Sequence, residues 1–318
     1  MGSEITQLLS RFDSGDLLAA SRAMSAIERG DAEADAMLDA LHPKTGRAWR
    51  IAFTGPGGAG KSSLIDRVIA RERANGKTVG VVAEDPSSPF SGGAILGDRV
   101  RMSHAQGDAG VFVRSLASRG SETGLSTLAG ELADVMDAFG RDVVILESMG
   151  VGQVETRVRT MADTVVVVLT PEAGDDVQTM KSGLLEVADI LVVNKSDRAG
   201  ADALSADLKS VTALRAPRSG WATPVVQTAA TEEKGIDELH AALASHFAHM
   251  QQEGRRAARR REALSARVRD LLEERVRTDI WRDATLRERF DAILEAVVGG
   301  RTSPQRAARD LAAHLWGQ

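Results

Sequence analysis

The segment Gly55-Pro56-Gly57-Gly58-Ala59-Gly60-Lys61-Ser62-Ser63 constrains this chain more than any other. It has the spacing G-x-x-x-x-G-K-[ST] and directly follows the apolar run Ile51-Ala52-Phe53. A strand, a glycine-rich turn and a helix in that order make a phosphate-binding loop. Gly55, Gly57, Gly58, Ala59 and Gly60 let successive backbone NH groups turn toward phosphate oxygens, with Ser63 closing the turn. The ammonium of Lys61 neutralises phosphate charge, and the Ser62 hydroxyl can hold a magnesium ion.

Composition narrows the chemistry. At 318 residues and 43% hydrophobic content the chain can bury a large core, so disorder is excluded. Net charge is −5, and no basic stripe is interleaved with aromatics, which argues against a nucleic-acid partner. The basic cluster Arg255-Arg256 and Arg259-Arg260-Arg261 lies on a helical pattern flanked by Glu253 and Glu262, and reads as a solvated helix face. The absence of cysteine removes disulfides, thiolate metal sites and thiol nucleophiles together. The N-terminus lacks the pattern of a secretory signal, and no run approaches the roughly 18 apolar residues of a membrane span. A cytoplasmic protein without a membrane partner is expected.

Residues 4–41 carry helical stripes, with Asp13 or Ser14 and then Asp31 as expected caps. From residue 48 short apolar strands alternate with helices, over 48–54, 78–83, 143–146, 164–169, 190–193 and 224–227. That alternation predicts an α/β fold with a mostly parallel sheet covered by helices on both faces, with ligands at the carboxyl ends of the strands. After residue 248 long charged helices follow, with Leu264, Val268, Leu271, Leu272, Val276 and Ile280 on one face. Periodicity alone leaves that stripe packing on its own domain or on a second subunit. The expected division is an N-terminal helical extension (1–46), a P-loop domain (47–248) and a C-terminal helical arm (249–318).

Asn194-Lys195-Ser196-Asp197 follows the strand 190–193. In such an N-K-x-D turn the Asp197 carboxylate accepts the ring NH and exocyclic amine of guanine, a donor pair that adenine lacks. Lys195 can lay its stem over the base while Asn194 braces the loop. Following a P-loop, this motif selects GTP over ATP. Thr228 and Ala229, with Ala230, sit after the strand 224–227, where backbone NH groups can meet the guanine carbonyl. Magnesium needs oxygen ligands, and Asp85 and Glu147 stand just past buried strands, although a helix cap or strand-end turn also uses such residues. Asp98 is a third candidate, within the glycine-rich segment GGAILGDRVRM. Glu147-Ser148-Met149-Gly150 occupies the place of a D-x-x-G segment, with Gly150 as the γ-phosphate sensor.

The stretches VAEDPSSPFSGGAILGDRVRM, ESMGVGQVE and EAGDDVQTMKSGLLEVADILVVNKSD, with the phosphate loop, resemble the MeaB/ArgK family of G proteins associated with methylmalonyl-CoA mutase. The resemblance spans nearly the whole chain. It implies a P-loop GTPase domain and a homodimer formed through the C-terminal arm. It implies GTP hydrolysis to GDP that gates adenosylcobalamin loading and protects or reactivates a cobalamin-dependent acyl-CoA mutase. It also assigns Lys61 and Ser62 to phosphate and magnesium, Asp85, Asp98 and Glu147 to the metal surroundings, and Asn194, Lys195 and Asp197 to guanine. Gln178 and Lys181 match a family switch that responds to the mutase. Glu84 stands where the family commonly has valine.

The expected reaction uses no protein nucleophile: water attacks the γ-phosphate, with Asp85, then Glu147, as the carboxylate that orients water or metal. Gln153 lies three residues past Gly150 rather than directly after it, so intrinsic turnover is expected to be low. Arg99, Arg101, Arg114 and Arg119 are candidates to complete the transition state. The rival readings are a metal-insertion GTPase, disfavoured without cysteine, a kinase or ATPase of basic amino-acid transport, disfavoured by N-K-S-D, and a nucleotide-gated binding module without turnover.

Overall fold

Seven strands, all parallel, form one sheet in the order β3-β2-β4-β1-β5-β6-β7. They are β1 (Trp49–Thr54), β2 (Val79–Asp85), β3 (Val111–Ala117), β4 (Val143–Glu147), β5 (Thr164–Leu169), β6 (Ile190–Val193) and β7 (Val225–Gln227). The computed structural model describes residues 3–85, 107–117, 125–148, 155–173, 183–215, 220–282 and 284–315. Asp98, Gly150, Gln178 and Lys181, and the arginines Arg99, Arg101 and Arg119, lie outside them.

Six of these strands were expected, and β3 was not. It is an edge strand whose only partner is β2, and its centre is half-buried, so VFVRSLA lacks the continuous apolar run of its neighbours. Its Arg114, a candidate for the transition state, instead pairs with Glu28 and donates to Ser25 Oγ at 3.1 Å, both on the helix Leu17–Arg29. That tie accounts for its charge within the N-terminal layer.

The sheet's period-two alternation sorts side chains into two cores. Ala52, Val82, Val144, Leu146, Val165 and Val167 face one way, against the helix Thr127–Ala138 and the N-terminal helices Ser3–Asp13, Leu17–Arg29 and Ala34–Leu41. Ile51, Phe53, Val81, Ile145, Val166 and Val168 face the other, against the helices Lys61–Ala74 and Ile236–Gln251. Phe53, Met24, Leu41 and Ile65 are among the largest side chains fully buried, each contributing about 1.5–3 kcal/mol of burial.

The caps differ from expectation. Asp16, not Asp13 or Ser14, opens the helix Leu17–Arg29, accepting from the Leu18 and Ala19 NH groups at 2.8 and 3.3 Å. The left-handed turn at Gly15 delays the second helix by three residues, leaving Asp13 to pair with Lys44. Asp31 pairs with Arg29, and the helix Ala34–Leu41 starts at Glu33 without a side-chain cap. Glu84 has a structural role: buried at the end of β2, it accepts from Ser126 N at 2.8 Å and from the Ser126 hydroxyl, steadying the residue that caps the helix Thr127–Ala138.

Three of the five clustered arginines turn inward instead of lying on a solvated face, while Arg261 is exposed. The helix Arg255–Arg282 begins with Arg256 and Arg260 on buried Asp163, at 3.2 and 2.8 Å, and Arg259 on Asp189, at 3.0 and 2.8 Å through its two terminal nitrogens. Asp163 and Asp189 immediately precede β5 and β6, and their carboxylates also accept from the backbone NH of Arg50 and Val165. The i, i+3, i+4 spacing of 256, 259 and 260 puts all three on one helix stripe, which the flanking glutamates concealed. The chain forms two compact units, 1–260 and 261–318. Within the second, Trp281 meets Phe290 edge-on at 5.1 Å, and Leu286 and Ala307 are buried. Among the described residues no helix is long and apolar enough to cross a membrane.

His246 adds a pH dependence to this seam. Trp49 Nε1 donates to Thr164 Oγ1 at 2.9 Å, and Thr164 Oγ1 lies 2.8 Å from His246 Nδ1. With its hydroxyl accepting from Trp49, Thr164 donates to a neutral imidazole. Burial pulls the His246 pKa down to about 4, outweighing the attraction of Asp189. In the unfolded chain it protonates near pH 6.5, so below that pH the unfolded state binds more protons and stability falls. The contribution is full above about pH 7 and is lost as pH drops from about 6.5 to about 4. Wild type is expected to lose about 2 kcal/mol more than His246→Gln between pH 7 and pH 5, read from denaturant midpoints. Equal losses would show that His246 titrates normally.

Candidate functional site

All the loops that carry candidate residues leave the carboxyl ends of adjacent strands. Phe53 in β1 pairs in register with Glu147 in β4, and Glu147 with Ala83 in β2, two residues before Asp85. On the other side of β1, Val168 of β5 lies against the start of the phosphate loop. The backbone of Asp85 ends β2 at this edge.

Two glycines of the loop are there for geometric reasons. Gly55 has φ +139°, and a Cβ on it would stand 2.0 Å from the Val168 carbonyl oxygen. Gly60 has φ +87°, caps the helix Lys61–Ala74, and would bring a Cβ to 2.4 Å from Asn194 Nδ2. The loop is thus seated against β5 and the N-K-x-D turn with no room for a side chain. Lys61 Nζ donates to the Gly55 and Pro56 carbonyls at 2.9 and 3.1 Å, which holds the ammonium inside the curl of the loop. Ser62 Oγ donates to Glu147 Oε1 at 2.7 Å, and both residues are buried. A hydroxyl and a carboxylate so close at a P-loop helix N-terminus are hard oxygen donors of the kind magnesium takes. Next to them Ser148 ties the strands together, its NH donating to Phe53 O and its hydroxyl lying 2.9 Å from Thr54 Oγ1.

Asn194 joins the phosphate loop to the segment 228–230. Its Nδ2 donates to Ala59 O at 2.8 Å, and its Oδ1 accepts from Thr228 Oγ1 at 3.0 Å and from Ala230 N at 3.3 Å. The NH groups of Thr228 and Ala229 donate to Val193 O and Lys234 O. The three NH groups at 228–230 are therefore engaged within the protein, and what the segment does here is fix Asn194. Lys195 has φ +58°, a left-handed conformation that costs a non-glycine residue about 1–3 kcal/mol and is held by the bond from Ser196 N to Thr228 O. Asp197 is exposed at the tip of the turn. Sequence reading missed Glu172: it accepts from Lys195 Nζ at 3.1 Å and pairs with Arg198, and nothing in Thr-Pro-Glu-Ala marks it beforehand.

Residues 20–285 match the family model described as methylmalonyl Co-A mutase-associated GTPase MeaB. The chain belongs to the MeaB family. A relative from Pyrococcus abyssi is 40% identical over 95% of this chain and 99% of its own length. GTPase ArgK of Escherichia coli is 33% identical over 98% of this chain and 96% of its own. The mouse protein named methylmalonic aciduria type A homolog, mitochondrial, is 32% identical over 82% of this chain and 64% of its own. Among solved structures, that of an LAO/AO transport system kinase superposes with a TM-score of 0.76 at 27% identity, covering 99% of both chains.

Membership bears on this geometry: MeaB-family relatives are named GTPases, and here the N-K-x-D turn is bonded to the phosphate loop. Asn194→Ala tests that link. It removes the bond to Ala59 O and leaves Thr228 Oγ1 and Ala230 N without their acceptor. GDP affinity is expected to fall about 10- to 100-fold, measured by titration calorimetry. Unchanged affinity would mean that the bridge does not order the base site.

Proposed function

We propose that this MeaB-family GTPase gates adenosylcobalamin loading of a cobalamin-dependent acyl-CoA mutase, methylmalonyl-CoA mutase or a sister enzyme, and protects or reactivates it. The observation that carries the nucleotide half of this reading is the Asn194 bridge between Ala59 and Thr228, which makes phosphate binding and guanine reading one structure. The mutase half rests on the description of the matching family model and on the name of the mouse relative.

In the proposed reaction a water oxygen forms a bond to the γ-phosphorus while the bond to the β–γ bridging oxygen breaks, yielding GDP and phosphate. Lys61 stabilises the charge spreading over the phosphate oxygens, and Asp197 and Lys195 hold the base. Ser62 and Glu147 would hold magnesium, with Asp85 and Asp98 completing its surroundings. Bound there, the ion supplies charge neutralisation between the β- and γ-phosphates. Asp85 orients the water, Gly150 senses the γ-phosphate, and intrinsic turnover is low because partner binding assembles the site. Gln178 and Lys181 form the switch toward the mutase. The divisions 1–46, 47–248 and 249–318 serve as helical extension, GTPase domain and arm, the arm forming a cytoplasmic homodimer.

The rivals have less behind them. A metal-insertion GTPase needs a metal-gathering cluster; the chain has no cysteine, and among the described residues no group of three histidine, aspartate or glutamate side chains suits a metal. The transport-kinase reading predicts ATP preference, against an exposed Asp197 in an N-K-x-D turn. The test is turnover of GTP and ATP by the purified chain, alone and with a cobalamin-dependent acyl-CoA mutase from the same source. GTP-selective hydrolysis that rises with the mutase is expected. Hydrolysis indifferent to it would leave a G protein with another client, and no turnover under single-turnover conditions would leave a nucleotide-gated binding module.

A further inference from the structure

The opposite edge of the sheet carries a second concave site. There Trp49 opens β1, Lys77 precedes β2, Arg141 and Asp142 precede β4, and Phe247 reaches in from the helix Ile236–Gln251. With Arg47 they line a cleft of about 330 Å³, a volume that suits a small ligand. Its lining carries three cations and one carboxylate, Asp142. Arg141 is only 7% exposed, yet among the described residues no carboxylate lies within ion-pairing distance of it. It packs on the rings of Phe112 and Phe139, at 6.0 and 5.2 Å, and its one hydrogen bond among the described residues runs from Nη1 to Gly110 O at a long 3.3 Å. Its buried Nε has no acceptor. Burial, with the charge of Arg73, pulls this guanidinium below the usual arginine range, outweighing the attraction of Asp142.

The neighbouring carboxylates have other hydrogen-bond partners, with the Asp142 charge still acting on Arg141 and Lys77. One oxygen of Asp142 accepts from both Thr78 N and Thr78 Oγ1 at 2.7 Å, Asp108 is held by Arg73 at 2.8 and 3.0 Å, and Glu72 takes Lys77 at 2.9 Å. Arg47 is exposed and contributes a further cation. A buried guanidinium without a carboxylate is costly, and an anion entering the cleft removes that cost. The apolar wall supplied by Trp49 and Phe247, whose rings meet at 4.8 Å, gives such an anion a body to lie against.

The geometry points to a second ligand site here, separate from the nucleotide loops, for a small phosphate monoester with a flat apolar body. Arg141 and Arg47, neither of them ion-paired among the described residues, suit the several oxygens of a phosphate, and the aromatic wall suits a ring. The experiment titrates phenyl phosphate and inorganic phosphate into full-length protein kept saturated with GDP and magnesium, so that the phosphate loop is filled. Phenyl phosphate is expected to bind saturably and at least about tenfold more tightly than inorganic phosphate. Arg141→Met, which keeps the packing on both phenylalanines, is expected to weaken it about tenfold, and the exposed Arg47→Ala several-fold, with GTP turnover unchanged. If Arg141→Met melts below the working temperature, Arg47→Ala carries the comparison. No saturable binding, equal affinity for inorganic phosphate, or wild-type affinity in the folded variants would overturn the assignment.

Discussion

Replacing Lys61 with alanine is expected to lower GTP turnover by at least about 100- to 1,000-fold while leaving the fold intact. The ammonium is buried in the curl of the phosphate loop, donating to Gly55 O and Pro56 O, and no second lysine or arginine among the described residues reaches those carbonyls. On the proposed reading, charge spreading over the γ-phosphate oxygens loses a protein cation held at a buried position, where electrostatic stabilisation is strong. Removing the side chain takes away two hydrogen bonds to carbonyls within one short loop, so the melting temperature should move by only a few degrees. Lys61→Arg should fail to restore activity, since the planar, bulkier guanidinium cannot sit as a point charge in that curl. Turnover is read by phosphate release under saturating GTP. Wild-type rates in Lys61→Ala would remove the phosphate loop from the catalytic site.

The second large effect is on stability. Asp163→Ala is expected to cost about 3–5 kcal/mol, because it strands Arg256 and Arg260 and the backbone NH of Arg50 at the foot of β5. Burial by itself would raise the Asp163 pKa, but the hydrogen bond and charge of Arg260, with Arg256, hold it below the usual carboxylate range. A carboxylate shifted downward contributes stability above its unfolded pKa and loses it as pH falls through the folded one, so the variant's deficit should shrink in strong acid. Arg261→Ala is the control: it is exposed and should change stability by no more than about 0.5 kcal/mol. Denaturant midpoints at pH 7 check both. If Asp163→Ala and Arg261→Ala cost the same, the arginine stripe would be a solvated face after all.

These two variants separate what could be read in one dimension from what could not. Lys61 was legible because a phosphate loop is a local device: its glycines, lysine and serine work through backbone geometry within nine residues, and the spacing survives in the sequence. The same holds for the place of the turn Asn194 to Asp197 after β6 and for the buried central strands, whose apolar runs report burial on both faces. Asp163, by contrast, reads as an ordinary strand-end residue, and its arginine partners lie more than ninety positions away. The strand β3 escaped because an edge position leaves its centre half-buried, and Asp16 was missed because the cap depends on where a glycine turns the chain.

Composition and spacing alone determined a parallel α/β sheet and a phosphate loop, since each is encoded by short-range periodicity or backbone chemistry. Tertiary structure alone decided which carboxylate meets Ser62, that Asn194 spans from Ala59 to Thr228, that Arg114 is tied to Glu28, and that three arginines of the basic cluster turn inward. Those outcomes depend on which distant segments the sheet order brings within hydrogen-bond distance. Desolvation then turns such juxtapositions into large energies, and neither distance nor burial between remote residues is written in the spacing of a single chain.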